Sequence, residues 1–217
     1  VDLKLVQLTH HKNTLVDVRK YSVQYADAEN SVFSDLTFTI NRGERIALSG
    51  KNGCGKSTLL KRILQKNGFI QERFSISEKG LCEIASGLVI SYVGQDATGL
   101  KGDITTFCRE HDLDLSLFCT ILRQLDFERV QFSKNMEEYS EGQKKKVLLA
   151  ASLLTPAHLY VWDEPLNYID VFSQMQIEKL LLEYQPTMLF VEHDVRFQEK
   201  IATKIIEIVA EISPENI

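Results

Sequence analysis

Gly50-Lys51-Asn52-Gly53-Cys54-Gly55-Lys56-Ser57-Thr58 is the stretch on which the rest of this chain turns. It fits the phosphate-binding pattern G-x-x-x-x-G-K-[ST]. Before it, Arg45-Ile46-Ala47-Leu48-Ser49 reads as a short buried strand. After it, Leu59, Leu60, Ile63 and Leu64 recur at helical spacing. The loop therefore sits between a strand and a helix, the context its chemistry needs. Glycines let the backbone curl and turn successive N–H groups toward a phosphate. The helix start near Lys56 adds its positive end. Lys56 is expected to reach the β- and γ-phosphates, and the Ser57 hydroxyl to ligate Mg²⁺.

The chain has 217 residues, 44% apolar and 25% charged, which suits a globular α/β domain with a sizeable core. No run of about 18 apolar residues is present, so no helical membrane span is expected. The net charge of −5 argues against broad electrostatic binding of nucleic acid. The chain begins at Val1 rather than Met, and we read it as a domain excised from a longer protein. Cys54, Cys82, Cys108 and Cys119 lack C-x-x-C spacing, which points away from metal or redox motifs. Cys54 is either a small tolerated residue of the loop or a modifiable thiol beside the phosphates.

Outward from the loop, residues 1–14 read as polar and irregular, with His10-His11 as a solvated loop. Leu15 to Tyr25 is strand-like, and Leu36, Phe38 and Ile40 alternate with threonines as in a half-buried strand. Tyr25 either stacks on a nucleotide base, worth about 1–3 kcal/mol, or packs as an ordinary strand tyrosine. Lys66 to Gly87 suggests only turns and short strands. Leu88 to Val93 is a strand ending at Gly94-Gln95. Ile104 to Phe132 turns helical. A helix with Val147, Leu148, Ala151 and Leu154 on its apolar side follows Tyr139-Ser140-Glu141-Gly142-Gln143 and ends at Pro156. Its Lys144-Lys145-Lys146 run reads as a solvated helix face, the alternative being an RNA or phosphate contact. Leu159 to Trp162 and Thr187 to Val191 are buried strands, and Ile205 to Val209 is a last one. Apolar strands alternating with amphipathic helices predict a mainly parallel sheet covered on both faces.

Two of these strands end in chemistry. Asp163-Glu164 follows one, at the sheet edge where α/β proteins bind ligands. Asp163 is expected to hold Mg²⁺ and Glu164 to polarise the water that attacks a γ-phosphate. His193 follows the other and could orient Glu164 and hydrogen-bond the γ-phosphate. Gln95 could touch Mg²⁺ or the attacking water.

The order P-loop, Gln95, Ser140 to Gln143, Asp163-Glu164, Asp170, His193 resembles the ABC ATPase nucleotide-binding domain over about Asp17 to Arg196. The resemblance implies a P-loop NTPase fold with a mainly parallel core sheet, an antiparallel β subdomain and a small helical subdomain. Residues 15–95 and 155–210 would form the ATP-binding core with the β subdomain, and 96–154 the helical part. It further implies that Tyr25 stacks on adenine and that Gly50 and Asn52 to Thr58 bind ATP with Mg²⁺. Ser140, Gly142 and Gln143 would be the signature that caps a γ-phosphate held by a second ABC domain, with Asp170 in the D-loop and His193 as the switch histidine.

Glu164-Pro165-Leu166-Asn167-Tyr168-Ile169-Asp170 is similar to the corresponding run of the ABC-F class. The wording from Gly142 to Ala150 and from Phe190 to Asp194 looks like the second ATPase domain of Lsa/Vga-type antibiotic-resistance proteins. That resemblance implies a cytoplasmic, ribosome-protecting parent with two ATPase domains. The ATPase subunit of a membrane transporter and an ATP-gated scaffold with negligible hydrolysis are the alternatives. Glu141 stands where the family usually has glycine, and we expect its carboxylate to point away from phosphate.

Overall fold

The computed structural model describes residues 5–71 and 75–209. Residues 1–4 of the irregular leader, 72–74, and Ala210 at the end of the expected core lie outside them. Five strands form a parallel sheet: β3 (Arg45–Ser49), β5 (Ile90–Val93), β6 (Leu159–Asp163), β7 (Met188–Val191) and β8 (Lys204–Glu207), in the order β5-β6-β7-β3-β8. Three longer strands, β1 (Thr14–Tyr25), β2 (Phe33–Asn41) and β4 (Ile76–Ile84), form an antiparallel sheet in the order β2-β1-β4.

Strand periodicity explains how one sheet serves two cores. Successive side chains leave a strand on opposite faces. Ile46 and Leu48 of β3, Leu159 and Val161 of β6, and Leu189 and Val191 of β7 pack into the core shared with the antiparallel sheet and α1 (Lys56–Asn67). Ala47, Tyr160, Trp162, Met188 and Phe190 face the other way. There they meet α2 (Ile104–Glu110), α3 (Leu115–Gln124), α4 (Glu141–Leu154), α5 (Val171–Tyr184) and α6 (Val195–Ile201). Burial on both faces is why these strands read as unbroken apolar runs.

Helix ends are set by local chemistry. Asp103, Asp114, Ser140, Asp170 and Asp194 each accept a backbone N–H of the helix they precede. The Asp194 cap with Phe197 and Ile201 buried four positions apart makes α6, a helix the apolar pattern alone did not suggest. α4 is pinned to the sheet by hydroxyls: Ser91 and Ser152 lie 2.7 Å apart, and Trp162 Nε1 donates to Ser152 Oγ at 2.9 Å.

Two expectations need correcting. The stretch from Lys66 to Gly87 contains a nine-residue strand, β4, paired along β1. It lies on the outside of its sheet with most side chains exposed, so it carries no apolar alternation to read. His10 is not in a solvated loop. It is buried, its Nε2 lies 2.9 Å from the Ser86 carbonyl, and its Nδ1 accepts the Lys12 N–H.

The antiparallel sheet is fastened to α1 by a polar cluster. Glu78 on β4 accepts from Tyr21 Oη at 2.6 Å and from Arg62 at 2.7 Å, and Lys66 reaches its other oxygen at 3.0 Å. Burial works to raise the Glu78 pKa, but the bonds from Tyr21, Arg62 and Lys66 prevail and bring it from 4.5 to about 2. A depressed carboxylate pKa gives stability that is complete above 4.5 and lost as pH falls through about 2. The stability gap between wild type and Glu78→Gln is therefore expected to narrow steadily across that window. Denaturant titrations at successive pH values measure it, and a gap independent of pH would refute the assignment.

Candidate functional site

A cavity of about 840 Å³ opens at the C-terminal end of the parallel strands. The P-loop forms its floor. Gly55 holds a left-handed φ of +100°, and a Cβ there would lie 2.6 Å from Val32 Cγ1 and 2.7 Å from Phe33 Cδ1. No other residue suits that backbone at that clearance. Lys56 is buried, and its Nζ donates to the carbonyls of Gly50 at 2.7 Å and Lys51 at 3.0 Å, drawing the loop into a ring around the ammonium. The Cys54 thiol is buried beneath the loop, 3.8 Å from the same Nζ. That environment is one of packing, not of an accessible thiol.

Four strand ends deliver the remaining groups. β3 leads into the loop, β5 into Gln95, β6 into Asp163-Glu164 and β7 into His193. Gln95 Nε2 lies 3.3 Å from Ser57 Oγ, 3.2 Å from Asp163 Oδ1 and 3.3 Å from Glu164 Oε1. His193 Nε2 lies 3.2 Å from the same Glu164 oxygen. Gln95, Glu164 and His193 line the cavity together with Asn52, Gly53, Gly55, Lys56, Ser57 and Thr58. Tyr25 is half-exposed at the cavity mouth, and its Oη lies 3.0 Å from Thr58 Oγ1. Ser31 and Val32, which no motif marks, complete that mouth.

Glu164 is held with care. Its backbone adopts φ +51°, an uncommon conformation for a residue with a side chain. Such strain typically costs about 1–3 kcal/mol and persists only where the surroundings impose it. Here they do: Glu164 N donates to Val191 O at 2.9 Å, and Asn167 Nδ2 donates to Glu164 Oε2 at 2.6 Å. Glu192, buried beside His193, accepts the Leu166 N–H at 3.1 Å and the His193 N–H at 2.8 Å, tying the two strand ends together. Asn167 and Glu192 escaped the sequence reading. Asn167 lies within the Glu164–Asp170 run, and Glu192 is one position before the histidine. Only proximity in space reveals what either holds.

The donor set suits a hard cation. The Ser57 hydroxyl and the Asp163 carboxylate bring hard oxygen donors to one point, as Mg²⁺ prefers when phosphates complete its shell, while Gln95 presents its Nε2 there and would offer its carbonyl oxygen with the amide turned over. Among the described residues no cluster of three or more His, Cys, Asp or Glu could hold a metal by itself. A single carboxylate with phosphate help is the arrangement that remains. Burial raises the Asp163 pKa, and the neighbouring Glu164 charge adds to this against the pull of Gln95, Ser57 and Lys145.

The signature residues stand elsewhere. Ser140 caps α4, its Oγ accepting from Gln143 N at 3.2 Å, while Gln143 Oε1 accepts from Ser140 N at 3.0 Å. Ser140 is exposed, Gly142 and Gln143 are half-buried, and none of the three belongs to the cavity lining. The capping hydroxyl still has its own proton to donate outward. Glu141 is exposed and paired with Lys144 at 3.0 Å. Asp170 caps α5 and is exposed. Burial works to raise its pKa, but Lys146 at 2.8 Å and the Ser173 bonds outweigh it and hold the carboxyl well below the usual range.

The basic run is not a solvated face. Lys145 is 1% exposed and Lys146 8%. Two of its three ammonium groups are bound to this chain's own oxygens.

The profile of the family described as ABC transporter matches residues 33–167. The chain belongs to this family. Among curated proteins, the ABC domain is 30% identical over 195 residues to "Ribosome protection protein VmlR" of Bacillus subtilis (strain 168), covering 88% of this chain and 34% of that one. It is 28% identical over 192 residues to "ABC transporter F family member 5" of Arabidopsis thaliana, covering 86% of this chain and 27% of that one. The chain thus spans between about a quarter and two fifths of the length of the curated relatives it matches. Among solved structures it is similar to "Structure of ATP binding subunit of ABC transporter", with a TM-score of 0.70, 25% identity, and coverage of 90% of this chain and 86% of that one. An ABC ATPase domain with a parallel core sheet, an antiparallel sheet and a helical part is what the sequence predicted, and this family binds ATP. Among the described residues no helix is long and apolar enough to cross a membrane.

The raised pKa of Asp163 has a stability consequence. A carboxylate disfavoured in the fold costs stability above its folded pKa, and the cost vanishes below 3.8. At neutral pH, Asp163→Asn is expected to raise the nucleotide-free melting temperature, because it removes a buried charge that the fold disfavours. The same variant is expected to lose most of the stabilisation that MgATP gives wild type. Thermal scans with and without MgATP measure both, and a variant less stable than wild type without nucleotide would contradict the first.

Proposed function

We propose that this domain is one half of a head-to-tail pair of ABC ATPase domains that hydrolyses ATP. The observation that carries the proposal is the meeting of Gln95, Glu164 and His193, from three separate strand ends, at the mouth of one phosphate-binding loop. Tyr25 stacks on the base. The loop amides from Gly50 to Thr58 and Lys56 hold the phosphates. Ser57, Asp163 and Gln95 hold Mg²⁺, which when bound neutralises phosphate charge. Glu164 polarises the attacking water, and His193 keeps its carboxylate aimed at the γ-phosphate. Ser140, Gly142 and Gln143 lie outside the cavity because they serve the partner domain's nucleotide, with Asp170 beside them at the contact. Domain division follows: 15–95 and 155–210 bind ATP, and 96–154 presents the signature.

The reading extends to the parent protein. We place the domain in an ABC-F protein that acts on the ribosome in the cytoplasm, with antibiotic resistance by ribosome protection as its role. Support comes from the Glu164–Asp170 wording and from the similarity to a ribosome protection protein and an F-family member. The likeness to a transporter's ATP-binding subunit favours a second reading, the motor of a membrane transporter. Co-sedimentation of the full-length protein with ribosomes in ATP separates the two from co-purification with a membrane protein.

Glu164→Gln is expected to slow turnover by about two to four orders of magnitude and to trap an ATP-bound closed pair. Phosphate release and light scattering in MgATP measure the two effects. A variant that pairs no better than wild type would remove Glu164 from the water-polarising role. A demonstrable monomer should bind MgATP yet hydrolyse it slowly, because one absent charge-stabilising donor costs about 2.7–4 kcal/mol at the transition state.

A further inference from the structure

Three consecutive lysines follow Glu141-Gly142-Gln143 in the helix that Ser140 caps, and their partners differ. Lys144 pairs with Glu141 on the surface at 3.0 Å. Lys145 turns inward, and its Nζ donates to the carbonyls of Gly94 and Gln95, both at 2.8 Å. Lys146 reaches Asp170 at 2.8 Å. Beside them, a Cβ on Gly142 would collide with the Tyr168 carbonyl, so the first turn of α4 lies directly on the Tyr168 backbone.

The Lys145 arrangement is costly enough to require a reason. A buried ammonium loses much of its hydration, and a side chain this long gives up rotamer freedom. A glutamine or methionine would fill the same space at less expense. The two carbonyls it binds are those at which the chain leaves β5, and the second belongs to Gln95, whose amide lies among Ser57, Asp163 and Glu164. The ammonium therefore fixes the backbone from which that amide projects, and it does so from the second turn of the helix that Ser140 caps.

We propose that Lys145 is a positioning residue for Gln95, a strut that holds the Gln95 backbone against α4 so that the Gln95 amide and the Ser140 end of α4 move as one unit. Lys146 with Asp170 and the close seat of Gly142 on Tyr168 fasten the first two turns of α4 to the segment that follows Glu164. The inference rests on the reading of Gln95 as part of the ATP site. Lys145 touches no nucleotide in this reading. Its influence on turnover runs through Gln95, and its influence on ATP affinity is small.

A double-mutant cycle in the full-length protein tests this. Lys145→Met keeps the length and apolar stem but removes the donors, and Lys145→Arg keeps donors. Lys145→Met is expected to lower kcat by about tenfold to a hundredfold, the scale of a misplaced catalytic group, with KM for ATP within about threefold of wild type. Lys145→Arg should recover part of the loss. On a Gln95→Ala background, Lys145→Met should add little, since contacting residues acting through one another are not additive. Hydrogen exchange in the absence of nucleotide gives a readout independent of hydrolysis. Lys145→Met should speed exchange at residues 94–97 and leave β6 unchanged. Equal losses on both backgrounds, or unchanged exchange at residues 94–97, would overturn the proposal. Absence of hydrolysis in wild type, with the exchange result as expected, would fault the ATPase reading and leave the strut standing.

Discussion

Burial of the central strands on both faces governs this molecule. β3, β6 and β7 are sandwiched between two apolar cores, so nearly every side chain along them must be apolar whichever way it points. Polar and charged groups are thereby expelled to the strand ends. Because the strands are parallel, their C-terminal ends share one edge, and whatever follows them meets there. The loop after β3, Gln95 after β5, Asp163-Glu164 after β6 and Glu192-His193 after β7 are neighbours for this reason alone. The site follows from the core.

The cost of gathering these groups is visible in the backbone and in the charges. Glu164 and Tyr168 take up left-handed conformations within five residues. Asp163 is buried beside Glu164, and its pKa is pushed up by burial and by that neighbour. Glu192 answers part of this by bonding the Leu166 and His193 amides, and Lys145 contributes a positive charge near the carboxylates. Such local conflict concentrates where charge is to be delivered to a ligand.

Much of the arrangement was legible beforehand because the residues involved are contiguous. The P-loop, the Asp-Glu pair and the Ser140 capping turn are each short segments whose chemistry depends on spacing along the chain. The apolar runs before them announced buried strands. What escaped was set by pairing between distant segments. The apolar residues of β4 do not alternate, and the strand exists because β1 offers it a hydrogen-bonding edge. α6 is two turns long, and the apolar residues it buries are only Phe197 and Ile201. His10 reads as polar and is buried because Ser86 and the Lys12 amide satisfy both ring nitrogens.

The lysine run shows the division most clearly. By itself the sequence determined that Lys144, Lys145 and Lys146 lie on a helix behind Ser140, that a parallel sheet lies beneath, and that Gly50 to Thr58 is a glycine-rich loop between a strand and a helix. Local patterns suffice for that, since capping, periodicity and loop geometry are short-range. Only the tertiary structure decided that two of those lysines face inward and which oxygens they bind. A helix distributes consecutive residues over different faces, and which face is buried depends on the strand and turn that pack against it. Gly94, Gln95 and Asp170 are far from the run in the chain and adjacent to it in space, because the sheet brings their strand ends to α4.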